Sequence, residues 1–233
     1  SCNVYFWELA EEVGLERINR YAEAFGFAER TGIGVNSEAK GFLATREWYA
    51  EHYGQFRIGY TLNTAIGQGN TRLTVLQLAM SYAAIANGGT LYVPQVVQNV
   101  RAPDGSLSET FQPKIKREVG VASQHLDLLR RALIDVVQEE SGTAFRARNK
   151  DGVRVAGKTG TAQVVSRKGR SEESSSAWYL DRSHGWFAGF APADDPQVAF
   201  AVLVEHGGSG GASAAPIATS VMQQYLGEPE ETE

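Results

Sequence analysis

Gly157-Lys158-Thr159-Gly160-Thr161 is the most informative motif of this sequence. It continues a pattern of β-branched residues that begins with Val153 and Val155, and it therefore predicts a β-strand. Glycine weakens a strand unless another backbone or a ligand must approach closely. The lysine and the two hydroxyl groups suit a substrate that carries a carboxylate and a reactive carbonyl. The stretch therefore indicates an edge strand beside which a peptide-like substrate lies.

Two further strand-like runs follow this strand, at 185–191 and 197–206, and a helix with Pro216 in its first turn is predicted at 213–226. The first strand itself is predicted at 153–165. Three strands and a closing helix imply an antiparallel sheet. The polar stretch 166–183 between the first two strands predicts a solvated loop, in which Trp178 and Tyr179 are candidates for substrate contact.

Residues 1–150 are predicted to be mostly helical. Apolar residues at helical spacing indicate helices at 4–13 and 15–25, which Gly14 separates. The stretch 32–69 has no sustained period, and we expect loops with short helical turns there. Thr74 and Gln77 have the pattern of a capping box at the start of another helix.

A peripheral hairpin is predicted near 91–117, where β-rich stretches at 91–101 and 110–117 flank a Pro-Asp-Gly-Ser turn. The helix that follows, at 123–139, has Ser123 as its predicted N-cap. The acidic residues 228–233 are expected to be a frayed tail.

The composition is that of an ordinary globular protein and excludes several classes of partner. The 233 residues are 42% hydrophobic and 21% charged, and the net charge of −5 gives no basic surface for nucleic acid. The single cysteine, Cys2, excludes an internal disulfide and is expected to be a small packed residue. The histidines lack the spacing of metal ligands, so we expect no metal and no cofactor. No apolar run reaches the ~20 residues of a membrane span.

A second motif strengthens the interpretation of the Lys-Thr-Gly strand. Ser1-Cys2-Asn3 precedes the first predicted helix, and a Ser-x-Asn element upstream of a Lys-Thr-Gly strand is a known pairing in serine acyltransferases. Alone, Lys-Thr-Gly would also fit a plain edge strand with an exposed lysine. The order of the two motifs and their predicted contexts, a helix and a strand, agree with the pairing.

Further stretches complete a specific set of motifs. They are Ser1-Cys2-Asn3-Val4-Tyr5-Phe6, Ile66-Gly67-Gln68-Gly69, Ala86-Asn87-Gly88-Gly89, Ser141-Gly142-Thr143-Ala144, the run from His184 to Pro192, and Ala214-Ala215-Pro216-Ile217-Ala218. With them, nearly the whole chain resembles the class B penicillin-binding proteins, and within these the elongation type. The resemblance implies an α+β, serine-transpeptidase/β-lactamase-like fold, of which this chain is the C-terminal part. The last three strands of the antiparallel sheet would pack against helices.

The resemblance also implies the reaction, which is the cross-linking of peptidoglycan by D,D-transpeptidation. A serine attacks the penultimate D-Ala of a stem peptide, the terminal D-Ala leaves, and an amine of a neighbouring strand resolves the acyl-enzyme. In this chain Ser1 would relay a proton to the leaving amine, Asn3 would hydrogen-bond the substrate amide, and Lys158 would hold Ser1 in place.

The substrate-binding residues implied by the resemblance lie on the Lys-Thr-Gly strand. Thr159 and Thr161 would bind the terminal carboxylate, and the Thr161 backbone N–H would supply one half of the oxyanion hole. Gly160 would let the substrate approach the strand.

One element of the family pattern does not occur where it is expected. The family carries its nucleophile in a Ser-x-x-Lys helix upstream of the Ser-x-Asn element. Within this chain only Ser37-Glu38-Ala39-Lys40 has that spacing, and it lies downstream in a predicted loop, so we interpret it as a coincidence. We expect another segment to supply the nucleophile, and we expect the chain alone, with an exposed strand edge, to be poorly soluble or inert toward β-lactams.

The resemblance implies partners and a location as well. The partners would be stem peptides ending in D-Ala-D-Ala, β-lactam antibiotics and a glycan polymerase of the cell-elongation machinery. The location would be the periplasmic face of the bacterial cytoplasmic membrane, reached through an anchor outside this chain. A β-lactam sensor without turnover, a serine β-lactamase and a D,D-carboxypeptidase remain as alternatives that share the motifs.

Overall fold

The computed structural model describes residues 1–164 and 181–227. The helices in this part are α1 (Asn3–Val13), α2 (Leu15–Ala24), α3 (Arg46–Tyr53), α4 (Ile58–Ala65), α5 (Val75–Ala86), α6 (Ser123–Gln138) and α7 (Ala214–Leu226). The strands are β1 (Thr90–Val93), β2 (Asn99–Arg101), β3 (Leu107–Thr110), β4 (Lys114–Glu118), β5 (Ala156–Ala162), β6 (His184–Ala191) and β7 (Val198–Val204). The architecture is α+β, which confirms the predicted fold class.

The last three strands form one antiparallel sheet in the order β5-β6-β7. β5 carries the Lys-Thr-Gly stretch, and its register places Thr159 opposite Phe187 and Thr161 opposite Gly185. β5 and β7 are the two edge strands of the described sheet, so one side of the Lys-Thr-Gly strand is free of strand pairing.

Helices cover both faces of this sheet. On one face α5 and α6 pack against Ala156 and Phe190, which are fully buried. On the other face α7 packs against Phe187 and Phe200. Because side chains alternate along a strand, Lys158 shares the face of Ala156 and points toward the α5 and α6 side. The threonines of the motif belong to the α7 face.

The region of the predicted hairpin consists of two nested antiparallel pairs, β1 with β4 and β2 with β3. All residues of β2 and β3 are exposed, whereas Leu91 on β1 is buried against Val119 and Ala84. The hairpin is therefore anchored at its base and projects from the molecule at its tip.

The capping box predicted at Thr74 and Gln77 is present at the start of α5. The Gln77 side chain also donates to the carbonyl oxygens of Glu29, at 2.6 Å, and Lys40, at 2.9 Å. This fully buried amide thereby ties the long loop before α3 to α5.

The prediction of loops with short helical turns for 32–69 missed two regular helices in that stretch, α3 and α4, of 8 residues each. The Thr45 hydroxyl caps α3 by accepting from the Trp48 N–H at 3.2 Å. The two helices pack through aromatic rings, and Tyr49 is buried and stacked on Tyr60 with ring centroids 4.1 Å apart. Such short helices have aromatic residues on several faces, so a 3.6-residue apolar period does not appear in the sequence.

Three local predictions were also wrong. The N-cap of α6 is Ala122 rather than Ser123, which is the first helical residue, and no side chain caps this helix. The strand expected from 153 begins at Ala156. Cys2 was expected to be packed and is exposed, because it precedes α1 at the rim of a cleft. None of the described helices combines the length and the apolar character of a membrane span.

Candidate active site

A cleft of about 990 Å³ runs along the free edge of β5. Its lining residues come from the start of α1, the end of α4, β5 and neighbouring loops: Ser1, Asn3, Phe6, Trp7, Asn63, Ala65, Ile66, Gln68, Gly69, Thr143, Lys158, Thr159, Gly160, Thr161, Gln163, Val164 and Ser209. All six residues that the sequence assigned to catalysis and substrate binding therefore line one cleft.

Ser1 and Lys158 are in direct contact although 157 positions separate them in the chain. The Lys158 Nζ donates to Ser1 Oγ at 2.7 Å and to the backbone oxygen of Thr159 at 2.8 Å. Because Lys158 is half-buried between the sheet and the helices, loss of hydration lowers the pKa of its ammonium group from the ordinary 10.5. The predicted pairing of these two residues is thus present in the structure.

Asn3 reaches the same cleft because it is the first residue of α1. Phe6 and Trp7 follow on the same helix and add apolar surface to that wall. The packing of α1 against α4 sets the position of the Ser-x-Asn wall relative to β5.

Thr159 is bonded to Thr143, a residue without a predicted role. The hydroxyls of Thr143 and Thr159 lie 2.7 Å apart. Thr143 is held there by the turn after α6, where a Cβ on Gly142 would collide with the Val136 backbone, so only glycine fits. The motif Ser141-Gly142-Thr143 is part of the family resemblance, so the sequence could have indicated Thr143 as a site residue.

The glycines of β5 have a packing reason within the sheet. A Cβ on Gly157 would come within 2.6 Å of the Ala188 carbonyl oxygen, and one on Gly160 within 3.1 Å of the Trp186 Cβ. Close approach of β6 therefore explains Gly157 fully. Gly160 is tight against β6 and also lines the cleft.

The backbone of Thr161 faces the cleft. The Gln68 side chain donates to the Thr161 carbonyl oxygen at 3.0 Å, and the Thr159 carbonyl oxygen accepts a hydrogen bond from Lys158 Nζ. In an antiparallel strand the N–H and the C=O of one residue point to the same side, and successive residues alternate between the two sides. The N–H of Thr161 therefore also points to the free edge of β5, where an oxyanion would lie.

This arrangement has several of the groups that acyl transfer to or from a peptide would use. One wall offers the Ser1 hydroxyl hydrogen-bonded to an amine, which is a path for a proton. The other wall offers the hydroxyls of Thr143 and Thr159 for an anion and the outward N–H of Thr161 for a developing negative charge.

Ser37 and Lys40, the other Ser-x-x-Lys spacing, lie outside the cleft. Ser37 is in a turn with a positive φ of 60° rather than at the start of a helix, which supports the interpretation as a coincidence. Trp178 and Tyr179, the candidates for substrate contact, and the acidic tail 228–233 fall outside the described residues.

The family model of the penicillin binding protein transpeptidase domain matches residues 1–223. The peptidoglycan D,D-transpeptidase MrdA of Acinetobacter baumannii is 38% identical over 232 residues, which cover 97% of this chain and 33% of that protein. The chain thus spans about a third of the length of this curated relative.

Solved structures of similar proteins have the same fold. Pseudomonas aeruginosa PBP2 in complex with WCK 5153 is similar with a TM-score of 0.80 and 32% identity, over 98% of this chain and 48% of that one. Helicobacter pylori PBP2 in its complex with MreC is similar with a TM-score of 0.76 and 27% identity, over 95% of this chain and 38% of that one.

Proposed function

Because the chain belongs to the penicillin-binding protein transpeptidase domain family, we propose that its cleft forms two walls of a peptidoglycan D,D-transpeptidase site. The observation that carries the proposal is the 2.7 Å hydrogen bond from Lys158 to Ser1 across the cleft. It joins the Lys-Thr-Gly strand to the Ser-x-Asn element, the two motifs that this family combines with a Ser-x-x-Lys nucleophile. A segment outside this chain supplies that nucleophile.

The reaction proceeds in two acyl transfers. The serine hydroxyl adds to the carbonyl carbon of the penultimate D-Ala, the C–N bond to the terminal D-Ala breaks, and the leaving nitrogen takes up a proton. An amine of a second strand then attacks the ester, and the serine hydroxyl is restored. Both steps pass through an oxyanion.

The catalytic wall of this chain handles the proton and the substrate amide. Ser1 relays the proton to the leaving nitrogen, because its hydroxyl can accept from Lys158 while it donates to the substrate. The Lys158 charge favours the anionic groups of the transition state. Asn3, at the start of α1, hydrogen-bonds the amide of the stem peptide.

The β5 wall binds the peptide end. Thr159 and Thr161 hold the terminal carboxylate, with Thr143 supporting Thr159 through their shared hydrogen bond. The Thr161 N–H donates to the oxyanion, and loss of one such donor typically costs about 2.7–4 kcal/mol of transition-state stabilisation. Gly160 lets the peptide lie close to the strand.

The partners follow from the same family. Substrates are stem peptides ending in D-Ala-D-Ala, and β-lactams acylate the same serine. The Helicobacter pylori relative is solved with MreC, and we extend to this protein an assembly with cell-elongation components, including a glycan polymerase. The site would then face the periplasm at the cytoplasmic membrane.

The test uses the complete protein that carries this chain, incubated with a D-Ala-D-Ala stem peptide and an amine acceptor. We expect cross-linked product and release of D-Ala, both lost in Lys158→Ala. Rapid β-lactam hydrolysis would instead indicate a β-lactamase, and D-Ala release without cross-linking a carboxypeptidase. Stable acylation by a penicillin without peptide turnover would indicate a sensor.

A further inference from the structure

Gln68 is a polar side chain that crosses the cleft and bonds to the strand on which a substrate would lie. Its Nε2 donates to the Thr161 carbonyl oxygen at 3.0 Å, which joins the loop after α4 to β5 across 93 positions of the chain. Gln68 is half-buried and lines the cleft together with Ser1 and Lys158.

The backbone under Gln68 is fixed by a Schellman motif that ends α4. The Gln68 N–H donates to the Asn63 carbonyl oxygen at 2.9 Å and the Gly67 N–H to the Thr64 carbonyl oxygen at 3.0 Å. Gly67 has the positive φ, 74°, that this motif requires. The Ile-Gly-Gln-Gly sequence therefore ends the helix and directs one long amide side chain toward β5.

The acceptor of this bond is the group that an extended peptide would use. Thr161 turns its N–H and C=O to the free edge of β5, so a peptide that pairs with that edge donates an amide N–H to the Thr161 oxygen. The Gln68 Nε2 lies at hydrogen-bonding distance from the same oxygen, in the path of the peptide backbone. Substrate and Gln68 therefore compete for one position.

We propose that the Gln68 side chain caps the free edge of β5 and is displaced by the amide N–H of an incoming ligand, so that a ligand with such an N–H must first break the bond from Gln68 to Thr161. The inference rests on the proposed transpeptidase function. A ligand with an amide N–H replaces the bond that it breaks. A ligand without one binds beside Gln68 and leaves the bond from Gln68 to Thr161 in place.

A purely structural role for Gln68 makes a different prediction. If the bond only fastened the loop to β5, its loss would lower the melting temperature and would change reactivity toward all ligands alike. Competition instead changes reactivity according to the chemistry of the ligand. The two roles are therefore separated by comparing ligand classes in one variant.

The variant Gln68→Met keeps the length of the side chain and removes the donor. The complete protein is acylated with a penicillin that has an acylamino side chain and with a carbapenem, whose hydroxyethyl group has no amide N–H. We expect the second-order acylation rate constant to rise about 2- to 10-fold for the penicillin, which is the effect of one hydrogen bond, and to stay unchanged for the carbapenem.

The matched control is Gln95→Met. The Gln95 Nε2 makes the same kind of bond, to the Gln112 carbonyl oxygen at 3.1 Å, but lies in the hairpin. Both rate constants should stay at the wild-type values in this control. A thermal melt of Gln68→Met shows that the domain is folded.

An equal change for both ligands, or a fall for the penicillin, would overturn the proposal. A rise of the penicillin acylation rate constant in Gln68→Ala that is missing in Gln68→Met would also overturn it. The effect would then come from the smaller side chain and not from the lost hydrogen-bond donor. A wild-type protein that neither ligand acylates would overturn the proposed function and this inference with it. In every other contradicting outcome the wild type is still acylated, so failure of the Gln68 inference can be distinguished from failure of the proposed function.

Discussion

Lys158 carries two demands that oppose each other. In the proposed function its ammonium group must remain charged to act on anions in the cleft, yet its half-buried position between β5 and the helices removes part of its hydration and lowers its pKa. The bonds to Ser1 Oγ and to the Thr159 carbonyl oxygen favour the charged form, because both oxygens accept a hydrogen bond from the ammonium group.

This pKa has a consequence for stability. Because the folded-state pKa of Lys158 lies below its unfolded-state value, the unfolded chain binds more protons between the two values. The contribution of Lys158 to the free energy of unfolding should therefore rise as the pH rises through this window, which ends near 10.5. Denaturant titrations at several pH values measure this contribution as the free energy of unfolding of the wild type minus that of Lys158→Met. A difference that falls with pH would contradict the assignment.

Thr143 should act through its contact with Thr159. Thr143→Val keeps the shape and removes the hydroxyl, so binding of a ligand carboxylate should weaken by about 2- to 10-fold. The expected effect is on the apparent dissociation constant in acylation kinetics of the complete protein, with the maximal rate unchanged. Thr110→Val, on the exposed strand β3, is the control. Equal effects of both changes would argue against a contact role.

At the scale of elements, the site depends on how helices and loops end. The Ser-x-Asn wall is the start of α1, Gln68 follows the end of α4, and Thr143 follows the end of α6. β5 is the only regular strand among the cleft-lining elements of the described chain. The position of each wall is thus set by a turn.

The turn after α4 can be tested with two glycines. Gly67 has a φ of 74°, and a Cβ added there would meet no atom within 4 Å, so Gly67→Ala should cost about 1–2 kcal/mol of unfolding free energy through backbone strain alone. Gly59 lies within α4 with no such φ and equal space, so Gly59→Ala should be neutral or stabilising. Chemical denaturation of both variants measures the contrast. A similar loss in both would contradict the assignment of the cost to the φ of Gly67.

Much of the site could be predicted from sequence because it resides in short motifs. Ser1, Asn3 and the residues of β5 are recognised by type and spacing, and the structure brings them to one cleft. Thr143 received no role, and Gln68 was a candidate for the lining of the cleft without its bond to β5, since both contacts to β5 span long sequence separations. Likewise α3 and α4 were missed because tertiary stacking of aromatic rings, rather than an apolar period, stabilises them.

At the scale of the molecule, large apolar side chains are exposed on α1, on α7 and in the hairpin. Val4, Tyr5 and Leu9 on α1 are exposed, and on α7 Tyr225 is 72% exposed. Exposed apolar surface of this kind promotes association in water.

Residues 1–233 produced alone should therefore self-associate. Sedimentation or light scattering at micromolar concentration should show species larger than the 25.3 kDa monomer. Replacing exposed α7 residues, as in Val221→Lys with Tyr225→Lys, should reduce the association, whereas a change of the exposed Val35, in the loop before α3, should not. A monodisperse monomer with a cooperative melt would contradict this expectation.

Ser1 and Lys158 together should form the working wall of an acyl-transfer site, and the function proposed for the cleft depends on this pair. The decisive experiment is the rate at which a fluorescent penicillin acylates the complete protein and its variants Ser1→Ala and Ser37→Ala. We predict a loss of about 100-fold or more for Ser1→Ala, the usual range for a lost proton relay, and wild-type labelling for Ser37→Ala. Wild-type labelling of Ser1→Ala, or labelling abolished in Ser37→Ala, would show that the pair does not have this role.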